Sequence, residues 1–145
     1  MGLAGLNETK TIGRIQQSST HELIFQVLDD SVVEDDYVLI VDEKGTQFLG
    51  IITQLIHVQK VQKGKIRLLG MLDVDGRLSR CKSPPSVDSQ LMQPPRGLVS
   101  AALSYKATDG ICLGEIAEGE PFYLSPQIIS RHTLVAATTG AGKSY

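Results

Sequence analysis

No apolar run in the chain approaches the roughly 18 residues that a membrane-spanning helix requires, which argues against a helical membrane protein. The N-terminus, Met1-Gly2-Leu3-Ala4-Gly5-Leu6, lacks the basic segment followed by a long apolar one that marks a secretory signal. It also fails the myristoylation pattern, which wants Ser or Thr where Leu6 stands. Asn7-Glu8-Thr9 matches a glycosylation sequon, but the motif carries no meaning without secretion. Cysteine is scarce: Cys81 and Cys112 stand in no metal-ligand spacing and read as free thiols in a reducing compartment. His21, His57 and His132 are scattered singly, as structural or surface residues are. An excess of charge is lacking too. The net charge is −2, so no overall basic field draws in DNA or an anionic membrane, and any nucleic-acid contact has to be local. Together these absences point to a cytoplasmic protein with no membrane partner.

What is present is a globular chain. Its 145 residues suffice for a modest core, and a charged fraction of 21% beside 41% hydrophobic residues argues against disorder. The first half reads as short strands separated by turns: Thr11 to Gln17, Glu22 to Leu28, Tyr37 to Val41, Phe48 to Val58 and Lys65 to Val74. Leu23, Phe25 and Val27 share one face by the period-2 rule. Tyr37 to Val41 is a continuous apolar run, as expected of a strand buried on both sides. Asp42-Glu43-Lys44-Gly45 supplies one hairpin turn and a polar stretch around Lys63-Gly64 another. A hydrophobic-Gly-any-hydrophobic tetrad recurs at Ile12-Gly13-Arg14-Ile15, Leu49-Gly50-Ile51-Ile52, Leu69-Gly70-Met71-Leu72 and Leu113-Gly114-Glu115-Ile116. Glycine inside a strand marks a bend, a bulge or close backbone approach, and small closed barrels need such bends. The expected fold is mainly β: a small closed β-barrel.

From Asp75 to about Thr108 the strand pattern breaks down. Pro84-Pro85 and Pro94-Pro95 cannot sit in central strands, which predicts a long Pro-rich loop at about 75–108. Arg77, Arg80, Lys82 and Arg96, opposed by Asp75 and Asp88, make it locally basic. That stretch reads either as solvated surface or as a contact surface for DNA, a neighbouring subunit or a partner. Asp109 to Ile116 reads as a strand, Glu118-Gly119-Glu120-Pro121 as a turn, and Phe122 to Leu124 as a short strand closing the barrel. Ser125-Pro126 begins a helical turn, with Ser as N-cap and Pro at the first position.

The last residues carry the chemistry. Ala137-Thr138-Thr139-Gly140-Ala141-Gly142-Lys143-Ser144 has the form of a phosphate-binding P-loop, with Ala137 at the position where the general pattern has Gly. Such a loop curls so that successive N–H groups face phosphate oxygens. The predicted nucleotide-binding residues are Thr139, Gly140, Ala141, Gly142, Lys143 and Ser144. The N–H groups of Gly140 through Ser144 cradle the β-phosphate, Lys143 pairs with phosphate charge, and Ser144 binds Mg²⁺. The predicted cofactors are thus ATP and Mg²⁺. The apolar, β-branched stretch His132-Thr133-Leu134-Val135-Ala136-Ala137 supplies the preceding strand. No general base, no acidic residue to hold the metal's bound waters and no arginine finger can be placed after Tyr145, so the expectation is the front of an ATPase, inactive by itself.

A small β-barrel running directly into His-Thr-Leu-Val-Ala-Ala-Thr-Thr-Gly-Ala-Gly-Lys-Ser resembles the HerA family, within the HerA/FtsK class of P-loop ATPases. The likeness is specific at Thr138 to Ser144 and softer in the barrel, at Ile12-Gly13-Arg14-Ile15 and Leu113-Gly114-Glu115-Ile116. The resemblance implies a HAS-barrel domain at 1–126. It implies at 127–145 a linker, first strand and Walker A loop of a truncated α/β, RecA-like ATPase domain. It further implies a homo-hexameric DNA translocase or helicase acting on double-stranded DNA in end processing, with the barrel assembling the ring and docking a NurA-like nuclease. Three alternatives stay open: a rotary ATP-synthase-like subunit, a conjugation or secretion ATPase of the same class, and a free-standing barrel that binds protein or nucleic acid and carries a vestigial P-loop.

Overall fold

The computed structural model describes residues 9–117 and 119–131. Strands β1 (Thr11–Ser18) and β2 (Glu22–Val27) form an antiparallel hairpin that turns Ile15, Leu23 and Phe25 completely inward. Val27, half-buried, packs against the same core, so the expected alternation holds. Strands β3 (Tyr37–Val41), β4 (Gln47–Val58) and β5 (Val61–Leu72) continue as an antiparallel meander. The apolar run of β3 is buried on both faces: Val38 and Ile40 enter the barrel interior, while Leu39 enters a second cluster outside it. The β3–β4 turn falls where expected. Gly45 takes φ +80°, and the Asp42 carboxylate accepts the N–H groups of Lys44 (2.9 Å) and Thr46 (2.8 Å).

Closure comes from β5, which pairs with β4 along one edge and with β2 along the other, from Glu22↔Arg67 to Gln26↔Lys63. A three-residue strand, β7 (Gln90–Met92), fills the remaining gap between β1 and β3. The ring β1–β2–β5–β4–β3–β7 is a closed, six-stranded antiparallel barrel, and the short β6 (Leu78–Ser79) extends β5 beyond the reach of β2. Closure pairs the strand edges that an open sheet would leave exposed.

Three expectations are corrected. The 75–108 stretch is no continuous loop. It holds β6, the barrel stave β7 with Leu91 fully buried, and the helix α1 (Leu98–Leu103). The turn predicted at Lys63-Gly64 lies instead at Gln59-Lys60, where Gln59 adopts φ +58°, and β5 runs straight through Gly64. Gly64 serves close approach: the ring of Phe25 occupies the place that a Cβ would take. Finally, the barrel is closed by the β2–β5 ladder. The strand at Phe122 to Leu124 belongs to β9 (Glu120–Leu124), which pairs only with β8 (Ile111–Ile116) in a separate two-stranded ribbon.

The glycine tetrads mark real irregularities. Ladder register shifts occur at Thr11/Gly13, at Leu49/Gly50 opposite Gly70, and at Cys112/Gly114. The first three tetrads therefore bend barrel strands, and the fourth bends the ribbon. Helix α1 lies on the barrel's outer wall, burying Val99 with Leu39, Leu49 and Leu72. The helix α2 (Pro126–Arg131) opens as expected, with Pro126 first and the Ser125 hydroxyl accepting the Gln127 N–H at 3.3 Å. Among the described residues no helix is long and apolar enough to cross a membrane.

Candidate functional site

The predicted nucleotide site, Thr139, Gly140, Ala141, Gly142, Lys143 and Ser144, lies outside the described residues, as do His132 and the strand stretch before the loop. Within the described residues, the chemistry concentrates where α1 meets the β8–β9 ribbon.

Helix α1 starts abruptly. Gly97, at φ +89°, turns the chain into the helix from a left-handed position and brings no side-chain cap. The first N–H groups of a helix have no partner within it, and here the cap arrives from 20 residues downstream. The Glu120 carboxylate, only 8% exposed, accepts the Gly97 N–H at 2.5 Å through one oxygen and the Ser100 N–H at 2.9 Å through the other. A negative charge at this end also complements the partial positive charge of the helix N-terminus.

Further bonds fasten the ribbon along the helix. The Ser100 hydroxyl donates to the Pro121 carbonyl (2.7 Å), Tyr123 N–H donates to the Ser104 hydroxyl (2.7 Å), and Tyr105 N–H donates to the Tyr123 carbonyl (2.9 Å). Strand β9 is thereby held to both ends of α1. Residues 111–115 of its partner β8 remain exposed.

Two clefts of about 550 Å³ each flank this junction and share Arg96 and Glu120. One is bordered by the acidic 31–36 segment, with Asp35 and Asp36 at its lip. The other is an open groove along α1. It gathers Arg77 from the β5–β6 turn, Arg96 ahead of α1 and Lys106 after it, with Tyr105 and Tyr123 beside them. Of the basic residues singled out in the sequence, Arg77 and Arg96 therefore converge. Arg80 and Lys82 are exposed and do not line the groove. Sequence reasoning missed Lys106, Tyr105 and Glu120, because only the return of the chain around α1 brings them to the others.

Among the described residues no group of His, Cys, Asp and Glu is arranged to hold a metal ion, and Cys81 and Cys112 are free thiols. Compared with models of known protein families and with curated protein sequences, the chain matches none.

Proposed function

We propose that this chain is the barrel and leading ATP-site segment of a HerA-like, hexameric, ATP-dependent DNA translocase of the cytoplasm. The observation that supports the reading is the order of parts: a closed six-stranded barrel, then the Ser-capped α2, then a P-loop sequence within a dozen residues of that helix. Residues Thr139 to Ser144 would hold ATP and Mg²⁺: backbone N–H groups from Gly140 onward on phosphate oxygens, Lys143 as counter-charge, Ser144 on the metal. Bound nucleotide would supply phosphoryl-transfer chemistry, which also needs acids and a base positioned beside the loop. The barrel's part is assembly of the ring and docking of a NurA-like nuclease.

The test is ATP hydrolysis by the protein together with whatever its gene encodes after Tyr145, with and without double-stranded DNA. The reading expects hydrolysis that rises with DNA and falls on the order of 100-fold in Lys143→Ala, the scale of losing one partner of transition-state charge. Hydrolysis indifferent to Lys143→Ala, or no Mg²⁺-dependent ATP binding at all, would overturn it.

A further inference from the structure

Arg77, Arg96 and Lys106 come from three separate connections, yet all line the groove along α1. All three are exposed, and none forms an ion pair among the described residues, whose salt bridges are Lys10–Asp29 and Lys65–Glu22. The groove's own carboxylates do not cancel them. Glu120 is engaged by the α1 amides but keeps its charge, so three cations face Asp75 and Glu120 and the groove stays positive by one charge. In a chain of net charge −2, this is a local reversal of sign. Tyr105, 39% exposed, and the half-buried Tyr123 line the same groove.

We propose that this groove binds single-stranded nucleic acid: phosphates on Arg77, Arg96 and Lys106, and a base stacked on Tyr105. Cations that track a backbone beside an aromatic ring suit a strand whose unpaired bases each present a π-face. An acidic peptide would use the cations and leave the rings idle. The other cleft at this junction is lined by Asp35 and Asp36, which repel phosphates laid over it. The groove volume of about 550 Å³ lies within the roughly 300–1,000 Å³ of small-ligand clefts, enough for a short stretch of strand. The inference stands apart from the P-loop reading, because it needs neither nucleotide nor metal.

The experiment is fluorescence anisotropy of a labelled oligothymidylate titrated with the chain carrying Lys143→Ala, without nucleotide or Mg²⁺, over a range of salt. Three phosphate contacts predict a slope of about −2 in log affinity against log salt, from roughly 0.7 per contact on single strands. The triple variant Arg77→Ala, Arg96→Ala, Lys106→Ala should flatten that slope. Tyr105→Ala should weaken binding about five-fold or more, with Tyr105→Phe near the starting affinity. Arg80→Ala with Lys82→Ala, the same charge type outside the groove, should change little. Because the substituted cations are exposed and form no ion pair among the described residues, circular dichroism should report an intact barrel in every variant. Absence of binding would overturn the proposal. So would equal weakening by the Arg80 and Lys82 pair, or competition by polyglutamate matching that of the oligonucleotide at equal charge.

Discussion

Replacing Glu120 by alanine removes the acceptor of two α1 amides in a single step, and the consequence can be worked from the junction. The Gly97 and Ser100 N–H groups each donate to one carboxylate oxygen, at 2.5 and 2.9 Å. Hydrogen bonds to a charged partner contribute about 1.5–3 kcal/mol each when buried, and loss of a helix N-cap costs about 0.5–2 kcal/mol. Gly97 itself is exposed, so water replaces part of what its amide loses. A cost of about 2 kcal/mol follows, and it should fall on α1 and β9 more than on the barrel. The barrel's interior cluster contains neither element, whereas α1 and the ribbon share the outer one. Native-state hydrogen exchange separates the two cases. In Glu120→Ala, amides of α1 and the Tyr105 and Tyr123 amides should lose protection by about 30-fold, the equivalent of that energy, while β4 and β5 amides hold theirs. Glu120→Gln, which keeps one acceptor oxygen, should fall between. Unchanged protection at Ser100 would refute the capping role, and uniform loss across β4 and β5 would refute the separation of the two layers.

Other outcomes follow from the barrel. Gly64→Ala should lower stability by about 1–3 kcal/mol in urea unfolding, because its Cβ meets the fully buried Phe25 ring and over-packed cores cost that much. Leu91→Ala should cost about 2–5 kcal/mol despite sitting in a strand of three residues, since its side chain is fully buried in the barrel interior; a cost near zero would count against β7 as a stave. The Asp29 carboxyl is held at about 2, below its usual 3.8, by its bond to Lys10 and the Ser31 N–H. Its stabilising contribution should be complete above about pH 4 and vanish as pH falls through about 2, so wild type and Asp29→Asn should differ at pH 5 and converge in strong acid. Lys10 is 68% exposed, so added salt should shrink that difference as well.

The sequence was informative where local pattern and tertiary role coincide. Strand β3 could be read because its unbroken apolar run serves two cores at once, and the β3–β4 turn because Asp42 and Gly45 each act locally. Gly64 misled for a physical reason: a glycine beside lysines looks like a turn, whereas this one is dictated by a ring from another strand. The true turn at Gln59 uses a positive φ without the residue that usually signals it. Strand β7 was hidden because three residues between two Pro pairs carry no periodicity, and its partners β1 and β3 alone make it a strand. Glu120 read as one of two glutamates in a polar turn. Its burial is a property of the helix it caps, which the Pro-rich stretch concealed. The basic groove was half legible, since Arg77 and Arg96 stood out by charge while Lys106 and Tyr105 join them only through the fold.

The measurement that tests the central reading most directly is the reading frame of the parent gene after the codon for Tyr145. An ATPase beginning at this P-loop predicts an open frame encoding a helix and then an apolar strand ending in Asp-Glu, the acids that phosphoryl transfer needs beside the loop. A stop codon directly after Tyr145 would contradict that account and leave a binding barrel without a motor.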